Sequence, residues 1–196
     1  MAGIVERRLA GPLGVVQTLR SERQAIEHET VAGRAVRDQA CERAKAVVGE
    51  CYDVVWNRVG RPRIDTQLDL VFPGGIGAVV DGPADSFALR IGAVRDLLGR
   101  GLHPRIPADV VTTWSARLAD EAAAVATAAE VVARISARAH LAERAFFAVT
   151  RGVHGALTAT KRDLKSAGLT EAAIHEIIPS RPGPRAADPA PGPVQS

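Results

Sequence analysis

The chain has 196 residues, 46% hydrophobic and 24% charged, with a formal net charge of +3. That make-up fits one globular domain with appendages, long enough to bury a core. It argues against a single-module nucleic-acid binder, which usually gathers more positive charge on one face. No run approaches the roughly 18 apolar residues of a membrane span.

Aromatic residues make up only 4%, so the core must rest on Ala, Val, Leu and Ile. Such side chains bury little area each, at roughly 25 cal/mol per Å². Many contacts must compensate, which favours long helices. The opening stretch "MAGIVERRLAGPLGVVQTLR" is broken by Gly11, Pro12 and Gly14. It makes a poor signal peptide and a weakly helical lead. A cytoplasmic location is the expectation.

Ser21 to Gln24, "SERQ", reads as a capping box that starts a helix over 21–59. Val31, Ala32, Ala35, Val36, Ala40, Ala44, Val47, Val48, Cys51 and Val55 recur at three- and four-residue steps and form its apolar stripe. Gly60 and Pro62 end it. Cys41 and Cys51 lie about 15 Å apart along that helix, too far for a disulfide. They read as small hydrophobic residues in a reducing compartment.

Two short apolar runs, Leu68 to Phe72 and Ile76 to Val80, flank Pro73-Gly74-Gly75. They predict a small β-hairpin, or an ordered apolar loop, over 64–82. Phe87, Ile91, Val94, Leu97 and Leu98 then mark a helix over 84–99, closed by Gly99 and Gly101. A very long C-terminal helix follows over 109–167. Val110, Trp114, Leu118, Val125, Val132, Ile135, Ala139, Ala142, Phe146, Val149, Val153, Leu157 and Leu164 point inward, with Trp114 and Phe146 as its large anchors. Gly152 and Gly155 mark the place for a kink. A short helix over 170–178 completes a helical domain of residues 1–178. The last eighteen residues, 179–196, hold six prolines and read as a disordered tail. The helix lengths suggest a mainly α fold, an elongated antiparallel bundle in which the long helix is the spine and the two others cover successive parts of it.

The long helix is charge-polarised, with a net of −3 over 109–130 and +5 over 134–165. The macrodipole explains charges in the terminal turns. Charges far inside suit an antiparallel partner, from this copy or another. Arg144, Arg151, Arg162 and Lys165 fall on one face and could bind an anion such as nucleic acid, but no aromatic residues are interleaved for stacking. His140 and Glu143, with Glu27 to Glu29, are the nearest thing to a metal set. Their order and number do not match the Glu-x-x-His pairs of di-iron bundles. "FPGGIG" lacks the Lys and Ser/Thr of a phosphate loop. No catalytic, cofactor or metal signature emerges.

What remains is a structural or interaction protein that pairs with itself or with another helical protein. Nucleic-acid association is the alternative. An exposed connection normally avoids the composition of the apolar segment Leu68 to Val80. Either it folds back over the helix ends of its own bundle or it packs on another subunit. The charge polarity of the spine favours the second, which makes Leu70, Val71, Phe72, Ile76 and Val79 the candidate contact surface.

Overall fold

One helix takes up the first 57 described residues. The computed structural model describes residues 2–61 and 68–178, and helix α1 runs over Ala2–Arg58. It is followed by α2 (Gly75–Val80), α3 (Phe87–Gly99), α4 (Ala108–Ser166) and α5 (Glu171–Ile177), with single 3₁₀ turns at Leu68–Leu70 and Ala84–Ser86. Among the described residues there is no strand. The proline-rich segment 179–196 lies outside them. The chain divides into two compact units, Ser21–Glu143, and Met1–Arg20 with Arg144–Ser196.

In the first unit, the inward stripe of α1 is Ile26, Ala40, Cys41, Ala44, Val48, Cys51, Val55 and Val59, all buried. Half-buried Thr30, Gly33 and Arg37 continue it at the same three- and four-residue steps. Four members of the expected stripe, Val31, Ala32, Ala35 and Val36, are not inward. Val31 is 71% and Val36 60% exposed. Along residues 26–40 α1 buries a single narrow seam against α4, which leaves its flanks open. Glu50 pairs with Arg117 at 2.9 Å and Glu29 with Arg138 at 2.6 Å. The later part of α1 thus meets the earlier part of α4, and the earlier part of α1 meets the later.

The expected hairpin is absent from 68–80. A hairpin buries alternate residues, whereas here Leu68, Val71, Phe72 and Val79 are buried and Ile76 is half-buried, a helical spacing. Gly74 and Gly75 take φ of 75° and 79°, a left-handed pair that turns the chain from the 3₁₀ turn into α2. A short helix also satisfies its own backbone, while an isolated two-stranded hairpin is marginal. Phe72 packs edge-on against Tyr52, ring centres 5.2 Å apart. The Arg90 Nε donates to the Val79 carbonyl at 2.7 Å and its Nη1 to Ser86 Oγ at 2.7 Å, fastening the end of α2 to the start of α3. A side chain at Gly82 would collide with that guanidinium.

Phe87, Ile91, Val94 and Leu98 of α3 and Val110, Trp114, Leu118, Val125 and Ala128 of α4 join α1 and the 68–79 segment in one core. Gly60, at φ 95°, ends α1 as expected. The Arg61 N–H donates to the Trp56 carbonyl and the Gly60 N–H to that of Asn57, the paired bonds of a Schellman cap.

The second unit corrects the reading of the N-terminal stretch. Residues 2–20 are helical through Gly11, Pro12 and Gly14, so Ser21 is an interior helical residue and caps nothing. Leu9 is buried, and Pro12, Val16 and Leu19 are half-buried, a three-four spacing that packs one face and offsets poor intrinsic propensity. Helix α4 continues through Gly152 and Gly155. Phe146 is half-buried rather than a deep anchor, and Phe147 beside it is 57% exposed. Gly168, at φ 90°, stops α4. The Leu169 N–H then donates to the Leu164 carbonyl, and Leu164, Ile174 and Ile178 close a small cluster of their own. Thr170 caps α5 by accepting from the Ala173 N–H.

Candidate interaction surface

Among the residues singled out by sequence, the apolar segment is largely an internal lid. Val71, Phe72 and Val79 are 1%, 0% and 4% exposed within their own chain. Leu70 is exposed and Ile76 half-buried. The hydrophobic composition that suggested an external contact is therefore spent on the core of this unit. Arg144, Arg151, Arg162 and Lys165 are all exposed on α4, and Lys165 lies 3.3 Å from Glu171.

The uncovered apolar surface lies elsewhere, on the first unit where only α1 and α4 face each other. On α1, the seam residue Gly33 sits so close to α4 that a Cβ there would stand 3.0 Å from Ile135 Cδ1. Glycine at 33 lets the helices approach closely. Beside that seam runs a groove of about 640 Å³. Its α1 wall is Glu29, Ala32, Gly33, Val36, Gln39, Ala40 and Arg43. Its α4 wall is Ala123, Ala124, Thr127, Ala128, Val131 and Ile135. The walls are apolar and small along the middle, with an acid at one end of the α1 wall and a base at the other. The run "EAAAVATAA" (residues 121 to 129) was the signal. Its alanines form a groove wall because no third helix covers them.

On the opposite flank a second cavity, about 580 Å³, is bounded by Arg34, Arg37, Ala129, Glu130 and Ala133 and by the start of α3 at Ala84, Ala88 and Leu89. Leu89 is 77% exposed. Arg37 bonds Asp38 at 2.8 Å and approaches Asp85 at 3.8 Å. Donating to the Asp38 carboxylate raises the Arg37 pKa above its ordinary value. A third cavity, about 340 Å³, gathers Arg23, Glu27, Arg34, His140 and Glu143, so the sequence-distant Glu27 and His140 do share a site. Among the described residues, however, no group of three His, Cys, Asp or Glu could hold a metal ion.

No family model matches the chain, and neither a curated protein nor a solved structure does. The site is therefore read from its own chemistry. Cys51 is wholly buried, and burial pushes its thiol up to about 12. Burial also raises the Cys41 thiol, against the pull of Arg37. Neither is a nucleophile at neutral pH, because the thiolate is the reactive form. No described helix is long and apolar enough to cross a membrane. What the surface offers is shape and apolar contact.

Proposed function

We propose that this protein works by helix-mediated interaction, as an antiparallel, coiled-coil-like bundle that associates with copies of itself. The observation that carries the reading is the alanine-walled groove between α1 and α4, flanked by Val36 at 60% exposure. Contiguous uncovered apolar surface marks contact sites, and small side chains let an added helix approach closely. The ion pairs Glu50–Arg117 and Glu29–Arg138 support the antiparallel pairing. The four-three spacing of Trp114, Leu118, Glu121, Val125, Ala128, Val132 and Ile135 supports the coiled-coil seam.

Sedimentation of the full chain at tens of micromolar tests this. A species of twice the chain mass or more is expected, and Ala124→Lys in the groove should return it to the monomer with helicity intact. A wild type that sediments as a monomer ends the reading. Nucleic-acid association through the exposed Arg144, Arg151, Arg162 and Lys165 is the second reading. It requires co-sedimentation with DNA or RNA that weakens steeply with salt.

A further inference from the structure

We infer that the occupant of the groove is α1 of a second copy, laid antiparallel across it with a two-fold axis at Val36. This rests on the self-association reading and names its contact. The α1 wall is spaced symmetrically about Val36. Glu29 and Arg43 stand seven residues to either side, Ala32 and Ala40 four, Gly33 and Gln39 three. Reversing the helix therefore sets acid against base at both ends, Ala32 against Ala40 and Gly33 against Gln39 between, where the glycine leaves room for the longer side chain, with Val36 meeting itself. A two-fold contact must be self-complementary in this way. Glu29 already accepts from Arg138, and a carboxylate has room to accept from a second guanidinium.

The α4 wall is compatible with the same axis. The register set by Glu50–Arg117 and Glu29–Arg138 brings Val131 level with Val36. Thr127 and Ile135 lie four residues to either side of it. Arg134 and Arg138 would then lie over Ala128 and Ala124 of the second copy's α4, and where Arg43 of the second copy comes level with Arg138 the Glu29 carboxylate lies between the two guanidinium groups. A partner of unrelated sequence would need its own base and acid at this spacing, whereas a second copy carries both.

The test uses the full chain. Val36→Cys, at the axis, should give a disulfide-linked dimer under mild oxidation, since symmetry brings the two thiols together. Val31→Cys, 71% exposed and off the groove, should not. The native Cys41 and Cys51 are buried and unbridged and contribute no background. Glu29→Arg and Arg43→Glu should each weaken dimerisation by about tenfold or more, and the double variant should restore it, as expected for a charge pair across an interface. Circular dichroism checks that helicity survives, and the Val36→Cys readout does not depend on the charge variants folding. If the wild type dimerises but Val36→Cys cross-links no better than Val31→Cys, the contact lies on another face and this inference fails while self-association stands. A monomeric wild type overturns both.

Discussion

Two stretches of the same helix behave differently against the same neighbour. Residues 44–59 of α1 face α4 with α3 and the 68–79 segment closing over them, and Ala44, Val48, Cys51 and Val55 are all 0% exposed. Residues 26–40 face mainly α4, with only the start of α3 reaching Arg34 and Arg37 across a cavity. Their contact is a seam one residue wide, with Gly33 at its closest point and cavities along both flanks. Apolar content does not separate the two stretches, since Val31 and Val36 are as hydrophobic as Val48 and Val55. What differs is the number of neighbours. A helix beside one partner buries a stripe, and beside three it buries half its circumference.

The sharpest way to break this comparison is to truncate one large side chain at each end. Phe72 is fully buried in the closed stretch and locked against Tyr52, so Phe72→Ala should cost about 3–5 kcal/mol, the usual range for a buried aromatic. Ile135 is buried in the open stretch but borders the groove. Its truncation to Ala should fall near the low end for such changes, about 2 kcal/mol, because the site can collapse or admit solvent. Denaturant titration of both variants decides the matter. Equal costs would mean that the open stretch is as tightly enclosed as the closed one.

The same contrast explains what could be read in the sequence. The helices after residue 83 were legible because Phe87, Ile91, Val94 and Leu98, or Trp114, Leu118 and Val125, recur on one face and are bounded by glycines. The Gly60 stop was legible for the same reason. The N-terminal helix was obscured because Gly11, Pro12 and Gly14 are poor helix formers locally. The packing of Leu9, Val16 and Leu19, which overrides them, is a tertiary effect. The 68–80 segment was ambiguous because a dense apolar run has no clear period, so hairpin and ordered loop stayed open, and only burial of Val71, Phe72 and Val79 distinguishes a lid from a contact surface. The groove was half legible. The alanine run at 121–129 stood out, but whether a third helix covers it depends on where α3 starts.

A second, smaller effect comes from the thiol in the closed stretch. Burial holds the folded Cys51 pKa at about 12, against an ordinary value of 9.0. The folded value is raised, so its contribution to stability is fully present below pH 9. It is lost as pH rises toward 12, where the unfolded chain ionises and the folded one does not. Through that window stability should fall by up to about 1.4 kcal/mol per pH unit from this group. Comparing urea midpoints at pH 8 and pH 10 for the wild type and Cys51→Ala checks this. The variant should lose less between the two pH values, and parallel losses would show that Cys51 is not enclosed. Consistent with the same enclosure, a thiol reagent at pH 8 should label Cys51 only after unfolding.

The smallest expected difference lies in the two ion pairs that tie α1 to α4, one beside each stretch. Glu50–Arg117 and Glu29–Arg138 are both exposed, so each pair is worth about 0.2–1 kcal/mol after screening and lost side-chain entropy. They differ in what else the arginine touches. Arg117 stacks 4.3 Å from the centre of the Trp114 ring, where cation–π contact at an exposed site adds about 0.5–1 kcal/mol. Arg138 bonds the Glu29 carboxylate. Arg117→Ala should therefore cost more than Arg138→Ala, and part of its cost should survive at 1 M salt, where the Debye length falls to about 3 Å. The Arg138→Ala cost should shrink toward zero under the same conditions. Urea titrations of the two variants at low and high salt read this directly. If the two respond alike, Arg117 is held by charge alone and the Trp114 contact contributes nothing to fastening the closed stretch.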